Sequence, residues 1–81
     1  MQIRVLLFAT LRDAAGTSEV AIELPASATV SAIREPLLGQ YPMLERYLPR
    51  IAYAVNRSYS TVEAELHEGD EVALIPPVSG G

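Results

Sequence analysis

Two segments near the opposite ends of the chain, Gln2 to Ala9 and Glu71 to Ile75, carry apolar residues at the two-residue period of a β-strand. Ile3, Val5 and Leu7 fall on one face of the first, and Val72 and Leu74 on one face of the last. A strand this apolar on one side must bury that side, and 81 residues have room for a single core. The two strands are therefore expected to lie side by side at the centre of one sheet. The other face of the first strand, with Gln2, Arg4, Leu6 and Phe8, turns apolar only toward its end.

The intervening sequence supplies the remaining elements. Leu11 to Ala15 reads as a short helical turn closed by Gly16, a residue that readily takes the positive φ of a helix C-cap. Ser18 to Leu24 alternates again, with Val20, Ile22 and Leu24 on one face, and its spacing from the first strand suits an antiparallel hairpin. Pro25 ends it. Thr29 is a candidate helix N-cap, and Val30, Ile33, Leu37 and Leu38 follow helical spacing. Pro36 is expected to kink or end that helix, and Gly39 to stop it. Tyr41 to Pro49 reads as an irregular, apolar-rich crossing. Ile51 to Asn56 is a short strand with Ile51, Tyr53 and Val55 on one face, Arg57-Ser58 a turn, and Gly69-Asp70 a tight turn before the last strand. The fold class is α+β: a mixed sheet of four to five strands wrapped on one main helix, with residues 1–77 as the domain and 78–81 as a protruding tail.

Composition excludes most self-contained chemistry. There is no cysteine, so side-chain thiol chemistry, disulfides and thiolate metal sites are excluded. His67 is the only histidine and sits in a turn, so no metal site is expected. The net charge of −4 and the scattered arginines give no basic patch, and nucleic acid is not an expected partner. The apolar run Val5 to Ala9 is too short for a signal sequence or a membrane span, so no membrane role is expected and the chain reads as cytoplasmic. No nucleophile–base pair emerges. All six basic residues are arginine, and arginine stays protonated and is a poor nucleophile.

What remains is the end of the chain. A terminal Gly-Gly arises by chance with a probability of about 0.005 when glycine is ~7% of residues. Pro76-Pro77 fixes two φ angles and biases Ile75 to an extended shape, so Val78, Ser79, Gly80 and Gly81 are launched away from the last strand. Four extended residues reach ~13 Å, enough to enter a partner's cleft. Glycine leaves the last carbonyl unshielded. The ionised carboxylate is a poor electrophile and needs activation on another protein.

The ending Gly69 to Gly81, GDEVALIPPVSGG, resembles the terminus of the molybdopterin synthase small-subunit family, the sulfur carriers of molybdenum cofactor biosynthesis. Phe8-Ala9-Thr10-Leu11-Arg12-Asp13 with Gly16 is similar to that family's first strand and turn, and Ala54-Val55-Asn56 to its middle strand. Pro36 departs from the pattern. The resemblance implies a ubiquitin-like β-grasp fold. It implies that Gly81 is adenylated with ATP by a ubiquitin-activating-enzyme-like adenylyltransferase, so that AMP is transiently linked to it. A sulfurtransferase or cysteine desulfurase then supplies the sulfur of a thiocarboxylate. The large synthase subunit, in a heterotetramer, takes the tail into its active site, where sulfur passes to a cyclic pyranopterin precursor. On this reading the chain is no enzyme by itself and holds no permanent cofactor. Gly81 carries the reactive atom and Gly80 lets the tail thread.

An apolar docking face should accompany the tail, with Phe8, Tyr59 and Ile75 as its candidates, Leu6 and Ala73 beside them, and Pro76, Pro77, Val78 and Ser79 continuing toward the partner. Arg12 is a further candidate to meet a partner carboxylate. Other readings stay open: a related carrier for thiazole, tRNA thiolation or cysteine synthesis; a modifier conjugated to lysines; or a binding module with an inert tail.

Overall fold

The computed structural model describes residues 1–77. The first strand, β1 (Gln2–Leu7), returns antiparallel as β2 (Glu19–Glu23), with a seven-residue helix, α1 (Ala9–Ala15), filling the connection. A 3₁₀ turn over Val30–Ile33 runs on into α2 (Arg34–Gln40), and two further 3₁₀ turns, Pro42–Leu44 and Leu48–Arg50, cross to β3 (Ala52–Val55). A hairpin gives β4 (Ser58–Ser60), and the last strand is β5 (Glu71–Ile75). Strand order is β2-β1-β5-β3-β4. The terminal strands β1 and β5 pair parallel at the centre, as their burial demand predicts, while β3 pairs antiparallel with both β5 and β4. This mixed sheet is the β-grasp arrangement.

One face of the sheet is closed by the helical segments. Ile3, Val5 and Leu7 of β1, Val20 and Ile22 of β2, and Val72 and Leu74 of β5 are buried against Leu11, Val30, Ile33, Leu37, Leu44, Leu48 and Leu66. Each fully buried aliphatic side chain contributes about 1.5–3 kcal/mol relative to an exposed one, so this layer drives folding. No buried polar or charged residue interrupts it among the described residues.

Several local expectations are corrected. Pro36 does not kink or end the helix, because α2 begins at Arg34. Pro36 is its third residue, in the first turn, where backbone N–H groups have no intrahelical acceptor. The preceding turn, at Val30–Ile33, is 3₁₀ instead of α. The single main helix is thus split, and α1 equals α2 in length. Thr29 stands at the N-cap position but makes no side-chain capping bond; its hydroxyl pairs with Ser31 Oγ at 2.8 Å. Gly39 lies inside α2, which closes at Tyr41, whose N–H donates to the Leu37 carbonyl at 2.8 Å. The turn after β3 is Asn56-Arg57, not Arg57-Ser58; Ser58 opens β4. Gly16 behaves as expected, at φ 79° with its N–H on the Arg12 carbonyl at 2.8 Å.

Candidate functional site

The outer face of the sheet is where the last strand becomes informative. Register places Leu6 of β1 opposite Ala73 of β5, Ala73 opposite Ala54 of β3, and Ala54 opposite Tyr59 of β4. One row across four strands therefore reads large, small, small, large. Two alanines make a floor and Leu6 and Tyr59 make walls. Phe8, just past β1, and Ile75, at the end of β5, close the end of the groove nearest Pro76. Arg57 and Glu71 also line it, and it encloses about 410 Å³. Ala54 on the floor is only 7% exposed, whereas Phe8 and Tyr59 are 43% and 78% exposed. Large apolar side chains left in water around a covered floor mark a surface suited to a partner.

The backbone holds Phe8 at this rim. Phe8 is extended at φ −124° and ψ 155°, and Ala9 follows at φ 49°, a conformation that costs a non-glycine residue roughly 1–2 kcal/mol. The reversal lets the Phe8 carbonyl accept from the Leu11 N–H at 3.0 Å, starting α1. Leu11 is the buried residue of α1 that anchors this turn.

A second hollow, of about 500 Å³, lies beside the point where the chain leaves β5. It is lined by Thr10, Arg46, Tyr47, Arg50, Pro76 and Pro77. The Arg46 guanidinium carbon lies 5.6 Å from the Tyr47 ring centroid, in cation–π range. The larger hollow between the end of β2 and α2, about 780 Å³, shares no residue with either; Glu23, Arg34 and Glu35 line it together. With no nucleophile–base pair in its lining among the described residues, size alone does not make it the site.

The hairpin that presents Tyr59 is fastened to the start of β5. Asn56 N–H donates to the Glu71 carbonyl at 2.8 Å, and the Glu71 N–H donates to Asn56 Oδ1 at 3.0 Å. Asn56 Nδ2 donates to Asp70 Oδ1 at 3.0 Å, while Asp70 Oδ2 accepts from the His67 N–H at 2.8 Å. Burial alone would raise the Asp70 pKa. The Asn56 amide, the His67 N–H and the nearby His67 ring outweigh it and hold the carboxyl below its ordinary value. His67 is thus a turn residue, 3.8 Å from Asp70, and no group of metal-ligating side chains gathers around it among the described residues. Tyr53 titrates above its ordinary value because it is half-buried, an effect that Arg34 partly offsets.

Phe8, Tyr59, Ile75, Leu6 and Ala73 are therefore brought together in one groove, and Pro76 and Pro77 in the hollow that adjoins it. Val78, Ser79, Gly80 and Gly81 lie outside the described residues. Arg12 belongs to neither hollow and lies 3.8 Å from Asp13. Ala54, Arg46, Arg50 and Arg57 were not among the site candidates that the sequence offered. Ala54 looks like strand filler until β3 is paired with β5. Arg46 and Arg50 reach the chain exit only through the crossing, and Arg57 reaches the far end of the groove, beside Glu71, only through the hairpin. Among the described residues no helix is long and apolar enough to cross a membrane.

Comparison with known proteins agrees with this architecture. The model of the ThiS family matches residues 5–81. The chain is similar to the molybdopterin synthase sulfur carrier subunit of Escherichia coli, at 39% identity over 98% of this chain and 99% of that one. It is similar to the subunit of the same name from Arabidopsis thaliana, at 35% identity over 100% of this chain and 84% of the relative. Among solved structures it superposes on SAMP1 from Haloferax volcanii with a TM-score of 0.91, at 31% identity and with both chains fully covered.

Proposed function

Because the chain belongs to the ThiS family, we propose that it is the sulfur carrier of a molybdopterin synthase, a protein without catalytic machinery of its own whose terminal glycine is the reacting group. The observation that carries the reading is continuity. β5 supplies Ala73 and Ile75 to the apolar groove, then Pro76 and Pro77 to the adjoining hollow, and the chain proceeds directly to Gly80-Gly81. A partner seated on the groove is thereby placed to receive the tail. Full-length similarity to curated sulfur carrier subunits supports the choice of pathway.

In this reading an adenylyltransferase joins AMP to the Gly81 carboxylate, with pyrophosphate leaving from ATP. A sulfurtransferase or cysteine desulfurase presents a persulfide whose outer sulfur displaces AMP, and a second thiol then cleaves the resulting acyl disulfide, leaving the thiocarboxylate on Gly81 and a disulfide on the donor side. The resulting thiocarboxylate is the better nucleophile, and it serves the large synthase subunit, which converts the pyranopterin precursor to molybdopterin. The chain itself keeps no cofactor and acts in the cytoplasm. Phe8, Tyr59 and Ile75 grip the partner, and Pro76, Pro77, Val78 and Ser79 lead the tail in.

Intact mass after incubation with ATP, the activating enzyme and a sulfur source tests this. A gain of about 16 Da, from replacing oxygen by sulfur at the last acyl carbon, is expected. It should vanish when Gly80-Gly81 is deleted. An unchanged mass with an activating enzyme that is competent on another carrier overturns the reading. The superposition on SAMP1 favours one alternative, since a second structure of that protein is described as a small archaeal modifier protein. Lysine-linked adducts on other proteins in place of a thiocarboxylate would select that alternative.

A further inference from the structure

The lysine-free composition has a spatial counterpart. An activated acyl carbon at Gly81 is open to attack by any amine within reach, and arginine, which stays protonated, offers none. All six basic side chains are arginine, so the amine that the structure shows is the α-amino group of Met1. It donates to the Leu24 carbonyl at 2.6 Å and to Glu23 Oε2 at 3.4 Å. The Met1 carbonyl accepts from the Leu24 N–H at 2.9 Å, and the Met1 side chain, 9% exposed, packs against the core. Attack by this amine would first require that extra rung between the start of β1 and the end of β2 to open.

Placement adds to this. β1 and β5 run parallel, so Met1 stands at the pole where β5 begins, and the chain leaves from the pole where β5 ends. Leu7 is level with Leu74, and Pro77 shares a hollow with Thr10, past the end of β1. The residues from Met1 to Phe8, at ~3.3 Å each, put about 23 Å between the amine and the exit pole, whereas the four residues after Pro77 reach only ~13 Å. His67, the only imidazole, is also at the Met1 pole; the turn that carries it is tied to β1 by the Gly69 N–H, which donates to the Gln2 carbonyl at 2.8 Å. Beside the exit, the hollow offers Thr10 and Tyr47 hydroxyls and the guanidinium groups of Arg46 and Arg50. Among the described residues its lining holds no carboxylate or imidazole to take a hydroxyl proton.

We propose that this fold makes the chain an acyl donor that does not act as its own acceptor: its amine and imidazole are held at the pole opposite the tail, and the cations beside the tail are arginines. The proposal rests on the reading that a partner activates Gly81. The reaction it suppresses is a simple one. An amine attacks the glycyl carbonyl of the adenylate, an amide forms, AMP leaves, and the ammonium proton passes to water. With that route closed, activated Gly81 is left for a nucleophile brought by another protein. The same placement keeps carriers from being linked one onto another.

The test withholds the sulfur donor. Full-length carrier is incubated with its activating enzyme and ATP at mildly alkaline pH, and pyrophosphate release and intact mass are followed. Wild type should release pyrophosphate and yield neither a lighter carrier nor a covalent dimer. Thr10→Lys, Arg46→Lys and Arg50→Lys each set an amine beside the exit. A variant of this kind should form a species about 18 Da below its own starting mass, the water lost when Gly81 closes onto the new amine. His67→Lys, an exposed amine at the far pole, should not close on itself.

Circular dichroism checks that each variant is folded, and any one of the three near the exit decides the matter. Wild type linked to itself through Met1 or His67 overturns the proposal. So does a near-exit variant that releases pyrophosphate yet forms no internal amide, because the protection then comes from the enzyme and not from the carrier. Equal closure in His67→Lys overturns the argument from placement. Wild type that releases no pyrophosphate, with an enzyme competent on another carrier, defeats the carrier reading itself.

Discussion

Asn56 and Asp70 are joined side chain to side chain, Nδ2 to Oδ1 at 3.0 Å, and this bond ties the hairpin carrying Tyr59 to the turn that starts β5. The two residues stand 14 apart in sequence. Because Asn56 also exchanges two bonds with the Glu71 backbone, one side chain sets the position of the groove's outer wall relative to the strand that becomes the tail.

Replacing Asn56 by alanine removes two side-chain bonds and leaves an ill-suited residue at φ 49°. A loss of about 2 kcal/mol is expected from these terms together. Chemical denaturation measures it, and a change below about 0.5 kcal/mol would show that the latch is idle.

The acid limb of stability should report Asp70. Its carboxyl is held below the ordinary value in the folded protein, so it stabilises the fold above the unfolded value of about 3.9. That contribution is lost as pH falls from there through the lower folded pKa. Asp70→Asn should therefore be less stable than wild type at neutral pH, and the gap should narrow below about pH 4. Urea melts at pH 7 and pH 3 decide the matter; a constant gap excludes the mechanism.

Arg57 sits at φ 73° in the second position of a two-residue hairpin loop, where both residues are left-handed. Glycine is preferred there. Arg57→Gly should raise stability by about 0.5–1 kcal/mol. The thermal midpoint should therefore rise, and an unchanged midpoint would show that the left-handed conformation at position 57 carries no strain.

Pro36→Ala should change stability by less than about 1 kcal/mol, because the lost ring stood in the first turn, where it blocked no helical bond. Leu37→Ala, one residue further and fully buried, should cost about 2–5 kcal/mol. A comparable cost for both would place Pro36 in a role that the first-turn geometry does not give it.

Phe8→Asp should leave the fold intact, since the ring is 43% exposed, yet weaken partner binding by more than about 1 kcal/mol if the ring is a buried anchor in the complex. Calorimetry against the large synthase subunit measures it, and an unchanged dissociation constant would remove Phe8 from the interface.

Two things were legible in the sequence alone: which faces are buried, and which residues the proposed function places at the reacting end. Alternation at Ile3, Val5, Leu7, Val72 and Leu74 sets the core because side-chain direction in a strand has a period of two, whatever the neighbours. Gly80-Gly81 after Pro76-Pro77 is legible because it needs no partner in the fold. Local spacing misjudged Pro36, Gly39 and the turn at Asn56, where helix start and loop register depend on which turn of the helix packs and which strand is paired. It passed over β4, a short polar edge strand held only by its ladder to β3. Only the tertiary structure put Ala54 beneath Leu6 and Tyr59, and only it brought Arg46 and Arg50 to the chain exit. Those relations span strands and connections far apart in sequence, and nothing in a run of neighbouring residues encodes which strand will lie beside which. That choice is made by the burial of the whole sheet at once.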